Sequence, residues 1–124
     1  MQKFFLMSGS LLACLAVGLG AFGAHALKES LVASGRLSTY ETAVQYHFYH
    51  ALGILLVYIF MFHNQHNYLT YAGILMVAGV VIFSGSLYTL SITGITWLGA
   101  ITPIGGLCFI IAWILVFLTA FKAS

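Results

Sequence analysis

The chain has 124 residues, 62% of them hydrophobic and 5% charged, with a net charge of +2 and a mean hydropathy of +1.08. A soluble domain carries about 25% charged residues, so in water this chain would lack a polar coat, whereas a bilayer suits it. The charge is too small and too scattered for a nucleic-acid surface. Cys14 and Cys108 sit inside apolar stretches, which excludes a secreted disulfide framework and reads as two free thiols.

Four apolar stretches predict four membrane-crossing helices. The first covers residues 4–26 and has two features of a cleaved leader, a cysteine box at Leu11-Leu12-Ala13-Cys14 and a small-residue site at Ala24-His25-Ala26. Three further spans follow, so it is read as a retained helix. Its Ala16, Gly20 and Ala24, four residues apart, let a neighbour approach closely. Residues 27–37 are expected along the membrane surface, with Gly35 weakening any helix there. The second span is expected over residues 39–62. Ser38-Thr39-Tyr40-Glu41 fits a capping box, which assigns Glu41 to the helix start.

The turn His63-Asn64-Gln65-His66-Asn67 is polar, with His63 and His66 read as water-exposed and Asn67 as a helix cap. The third span, residues 68–93, is expected to stop at Gly94. Trp97 suits the bilayer interface. Thr102-Pro103 opens the fourth span, residues 103–121, because proline at the first helical position loses no hydrogen bond. The expected architecture is a single all-α domain over residues 1–124, four antiparallel transmembrane helices in an up-down bundle, with short links that pack consecutive helices side by side. Lys3 and Lys122 on one face balance Lys28 and Arg36 on the other, so the positive-inside rule sets no orientation.

Up-down connectivity gathers the polar residues in one leaflet. His25 ends the first span at the face carrying the first and third links. His47 and His50 lie about 12–17 Å along the second span from that face. Ser84 and Ser86 sit at a similar depth, and Thr102 opens the last span beside them. The opposite half has much less, with Ser8, Ser10, Tyr58 and Thr119. Polar groups in hydrocarbon turn to the bundle interior or a watery cavity. His47 and His50 share a helix face, whereas Ser84 and Ser86, two apart, do not. The candidate pocket comprises His25, Tyr46, His47, His50, Ser84, Ser86 and Thr102. Gly20, Gly23, Gly85, Pro103, Gly105 and Gly106 are assigned to packing.

The segments Gly20-Ala21-Phe22-Gly23-Ala24-His25-Ala26-Leu27, Thr42-Ala43-Val44-Gln45-Tyr46-His47, Tyr49-His50-Ala51-Leu52, Phe83-Ser84-Gly85-Ser86-Leu87-Tyr88 and Thr102-Pro103-Ile104-Gly105-Gly106, followed by Trp113, resemble in order the family called domain of unknown function 423, or uncharacterised protein family 382. The resemblance implies a small multi-pass protein of the bacterial inner membrane and brings no activity, cofactor or catalytic residue. Its signature segments coincide with the polar half of the bundle.

Catalysis has no visible apparatus. There is no aspartate, no serine–histidine–acid set and no phosphate loop. The leading expectation is a non-enzymatic protein without a cofactor, binding a lipid-like molecule, a small ligand, or a partner helix from a second copy or another membrane protein. Two alternatives stay open. One is a small proton-coupled transporter, in which only a histidine can titrate within the membrane. The other is a metal or haem protein using His25, His47 and His50. Trp113, deep in the fourth span, is expected to pack against a neighbouring helix.

Overall fold

The computed structural model describes residues 1–122, and its regular structure is all helical. The first span is α1, Gln2–Ala24. A short α2, Lys28–Ala33, leads into the second span, α3, Leu37–Phe60. The third span comprises α4, Asn67–Gly79, one π-helical turn over Val80–Ser84, and α5, Gly85–Thr93. A 3-10 turn over Thr96–Ala100 precedes α6, Thr102–Thr119. Each of the four spans has 23 to 27 residues, long enough for the roughly 30 Å hydrocarbon layer. Chain neighbours pack side by side, α1 on α3, α3 on α4 and α5, and α4 on α6. The expected all-α membrane bundle is therefore the fold.

The starts of α3 and α4 differ from the expected ones. Helix α3 begins two residues earlier than expected, with Arg36 as its cap and no side-chain capping bond. The cause lies upstream. Gly35 adopts a left-handed φ of 73°, its N–H donates to the Val32 carbonyl, and the Arg36 N–H donates to the Leu31 carbonyl. This is a Schellman end for α2, and the residue that completes it is already the cap of α3. The capping box at Ser38 and Glu41 thus falls inside the helix and does not form. At α4 the cap is His66 rather than Asn67, since His66 Nδ1 accepts from the Tyr68 N–H. Asn64 Oδ1 accepts in turn from the His66 N–H at 2.8 Å, so the turn residue His66 is a structural one. Gly94 does end α5, with φ 77°, and the Arg36 guanidinium lies against it.

The two halves of the interior differ in kind. Near the termini the core is apolar, formed by Phe5, Ile54, Val57, Met61, Leu69, Ala72, Met76 and Ala112. Aromatic rings seat on glycines of neighbouring helices, Phe5 on Gly73, Tyr40 on Gly23 and Phe109 on Gly79. Dispersion from such close packing holds membrane helices together, since burial from lipid gives little hydrophobic gain. Backbone rather than a ring stands opposite Gly105, where a Cβ would lie 2.5 Å from the Phe83 nitrogen and 2.8 Å from its Cα. Among the other assigned packing positions, Gly23 and Gly20 meet α3 side chains, Gly106 touches the Phe83 ring only loosely, and Gly85 has open space around it. Gly85 is therefore not a packing glycine.

Candidate functional site

In the half near the first link, hydrogen bonds between helices replace the apolar core. His47 and His50 are both buried on α3, 3% and 5% exposed, but they serve different neighbours. His47 Nδ1 lies 2.8 Å from the Tyr88 hydroxyl on α5. Its ring also approaches the Leu12 backbone of α1, yet Nε2 has no hydrogen-bond partner. His50 turns toward α6. Its ring stacks on Phe109 with centroids 3.6 Å apart, its Nδ1 lies 2.8 Å from the Tyr46 carbonyl, and Trp113 donates Nε1–H to Nε2 at 2.9 Å. A carbonyl only accepts and an indole N–H only donates, so the His50 ring is neutral with its proton on Nδ1.

The serines also part company. Ser84 donates to the Ala43 carbonyl of α3 at 2.8 Å, while Ser86 pairs with the Thr102 hydroxyl of α6 at 2.6 Å and donates to the Phe83 carbonyl. Their sequence separation of two demanded this, because residues so spaced point to different sides of a helix. Tyr46 is exposed, with its ring edge-on to Phe83 at 4.8 Å. His25, at the end of α1, is exposed and borders a shallow depression with Lys28, Glu29, Val32 and Ala33. The seven candidate residues therefore do not enclose one cavity. Five of them make internal bonds on the α3, α5 and α6 side, of which only Ser86 and Thr102 bond to each other, Tyr46 flanks them, and His25 stands apart.

This arrangement bears on metal binding. Among the described residues, no three of histidine, cysteine, aspartate and glutamate form a group able to hold a metal. His50 has both ring nitrogens engaged, so ligation there would first break the bond from Trp113. His47 faces α1 and α5 and His50 faces α6, so the two do not converge on one point.

A graded opening borders the other side of α3. A cleft of about 330 Å³ between α1, α2 and α3 is lined by Gly20, Gly23, Ala24, Lys28, Leu37, Tyr40, Glu41, Val44 and Gln45. Through Gly20, Val44 and Gln45 it continues into a trough of about 290 Å³ along α1 and α3, bordered by Ala16, Val17, Ala21, Phe48 and Tyr49. The Tyr40 hydroxyl donates to the Leu19 carbonyl of α1 and fixes the cleft's inner wall. Glu41, freed from capping, lines the mouth. Sequence reasoning assigns none of Tyr40, Lys28, Glu41 and Gln45 to a site. The signal that could have found them is that Lys28 and Glu41 are two of only six charged side chains in the chain.

The Trp113–His50 bond joins α3 to α6 within the membrane, where such bonds contribute about 0.6–2 kcal/mol. Trp113→Phe and His50→Phe combined in a double-mutant cycle should return a coupling of about 1 kcal/mol, read from unfolding by SDS titration. A coupling of zero would mean that the two rings merely touch.

Four long apolar helices with an internally bonded polar half define a multi-pass α-helical membrane protein. The chain belongs to the family described as "Protein of unknown function (DUF423)", whose model matches residues 19–106. It is 51% identical over 123 residues to "UPF0382 membrane protein YwdK" of Bacillus subtilis, covering 98% of each chain. It is 45% identical over 121 residues to membrane protein SH2409 of Staphylococcus haemolyticus, again covering 98% of each. Membrane protein SSP2132 of Staphylococcus saprophyticus is 46% identical over 121 residues, 98% of this chain and 99% of that one. No solved structure matches. With bacterial relatives named membrane proteins, this is a multi-pass bacterial membrane protein. The matched segment contains the cleft and His47, His50, Ser84, Ser86 and Thr102 but stops short of Phe109 and Trp113.

Proposed function

We propose that the protein is a non-catalytic binding or accessory protein of the bacterial membrane, and that the cleft between α1, α2 and α3 receives an amphiphilic molecule from the bilayer. One observation carries this reading. The cleft is graded, with Lys28 and Glu41 at its mouth, Gln45 where it meets the trough, and Ala16, Val17, Val44 and Phe48 along that continuation. A polar end that runs into an apolar trough complements a molecule with a head and a chain. The histidine and serine cluster beside it stiffens the wall through bonds between α3, α5 and α6.

Gly20 tests the reading, since it lies in both cavities and a Cβ there already meets Val44 Cγ1 at 3.3 Å. Gly20→Leu should block the trough and lower the phospholipid that co-purifies with the protein about tenfold, a loss of roughly 1.4 kcal/mol, as counted by mass spectrometry. Gly18→Leu is the control, because a Cβ at Gly18 would meet nothing within 4 Å. Equal lipid in wild type and Gly20→Leu would sink the proposal.

A second reading, a small proton-coupled carrier, is favoured by His47. A buried imidazole nitrogen without a partner inside a membrane is costly unless it serves a purpose. Ser8 Oγ on α1 is likewise buried and unpartnered. Proteoliposomes under an imposed potential should then take up protons, and His47→Phe should stop them. No uptake by wild type removes this reading.

A further inference from the structure

We infer that the cleft selects a phospholipid whose head carries both a phosphate and a primary ammonium, an inference that rests on the reading that the cleft holds an amphiphile. Charge complementarity across the mouth sets this selection. Lys28 comes from α2 and Glu41 from α3, so a cation and an anion border the same opening from different elements. Both are exposed, and neither belongs to the hydrogen-bonded cluster on the far side of α3. Gln45 lies one helical turn deeper than Glu41 on the same face of α3, where cleft and trough meet.

Each layer of this wall fits one layer of an aminophospholipid. The Lys28 ammonium is a strong donor to a phosphate oxygen. The Glu41 carboxylate accepts from the N–H groups of a primary ammonium. The Gln45 amide, able to donate and accept, meets the ester region. Below it, Ala16, Val17 and Gly20 leave room for an acyl chain beside Phe48.

The same wall discriminates against other heads. A choline head turns methyl groups toward Glu41 and offers it no N–H. A glycerol head satisfies Lys28 with its phosphate but offers Glu41 only neutral hydroxyl groups, which leaves the carboxylate without a counter-charge. Glu41 is thus the specificity determinant, and Lys28 the general anchor for phosphate.

The test uses the full chain in detergent, stripped of lipid and titrated with phosphatidylethanolamine, phosphatidylglycerol and phosphatidylcholine of identical acyl chains, with occupancy read by native mass spectrometry. Wild type should bind phosphatidylethanolamine about fivefold more tightly than the other two, the upper scale of one exposed ion pair. Glu41→Gln should bring phosphatidylethanolamine down to the phosphatidylcholine level and raise phosphatidylglycerol. Lys28→Gln should weaken all three. Phosphatidylglycerol binding as well as phosphatidylethanolamine in wild type, or a preference that survives Glu41→Gln, overturns the inference. Two failures are distinguishable. If Gly20→Leu abolishes binding of all three lipids but wild type shows no preference, only the head-group inference falls. If Gly20→Leu binds all three like wild type, the amphiphile reading falls and takes this inference with it.

Discussion

Gly105→Leu should leave the protein unable to close α6 against the π turn, with Gly105→Ala already costing about 1–3 kcal/mol. The reason is what stands opposite. At most ring-on-glycine contacts in this bundle a side chain can swing aside. At Gly105 the added Cβ would meet the backbone nitrogen and Cα of Phe83, at 2.5 and 2.8 Å. Backbone inside a π turn moves only if the turn moves. That shift would pull Ser84 from the Ala43 carbonyl and Ser86 from the Thr102 hydroxyl, both of which flank the contact. Gly85→Ala is the matched control. Gly85 is in the next helical segment with no atom within 4 Å of a Cβ, so alanine there should be neutral or gain up to about 1 kcal/mol of helix propensity. SDS-titration midpoints of the two variants check the prediction. Equal midpoints for Gly105→Ala and Gly85→Ala would show that α6 does not depend on this approach.

How much of this fold could be read beforehand varies with the kind of signal. Spans set by hydropathy come within two residues of the observed helix ends, because the lipid thickness dictates their length. Gly94 and Pro103 are legible because each has one conformational property that decides its place, a left-handed φ of 77° in one case and a missing N–H in the other. The capping box misleads because the motif is local and the outcome is not. Gly35 closes α2 so tightly that α3 has already started when Ser38 is reached. The π turn has no signature, since Val80–Ser84 continues the helical pattern of the span on either side.

The candidate site is legible in its residues and not in its partners. Sequence depth places His47, His50, Ser84, Ser86 and Thr102 at one level, but the partners spread them along the bundle, since Thr102 meets Ser86 at the start of α6 while His50 meets Phe109 and Trp113 further along the same helix. Depth says nothing about azimuth, and azimuth sends His47 toward α1 and α5 while His50 goes to α6. For Trp113 the sequence suggests only packing, although a deep indole N–H needs an acceptor and only a buried polar side chain supplies one. Glu41 is the instructive case. Its assignment to a cap removes one of two acidic side chains from consideration, and the cleft becomes visible only once that cap proves absent.

Phe109→Ala should be the most destabilising truncation in the polar half, at about 3–5 kcal/mol. The ring is 5% exposed and sits on Gly79 of α4 while stacking on His50 of α3. It therefore joins α6 to two other helices at once, and Phe83 closes the same tier at 5.5 Å. Lipid tails cannot refill the space, because the site is enclosed by protein. Phe117, on the same helix, is 65% exposed to the bilayer, so Phe117→Ala should change stability by less than about 0.5 kcal/mol. A coupled pair makes the test specific. Gly79→Ala alone drives a methyl into the Phe109 ring and should destabilise, whereas in the Phe109→Ala background the same methyl enters vacated volume and should restore part of the loss. Such a reversal of sign identifies direct contact and excludes a general weakening of α6. If Gly79→Ala destabilises equally in both backgrounds, the ring does not occupy that notch, and the tier around His50 must be held by the Trp113 hydrogen bond alone.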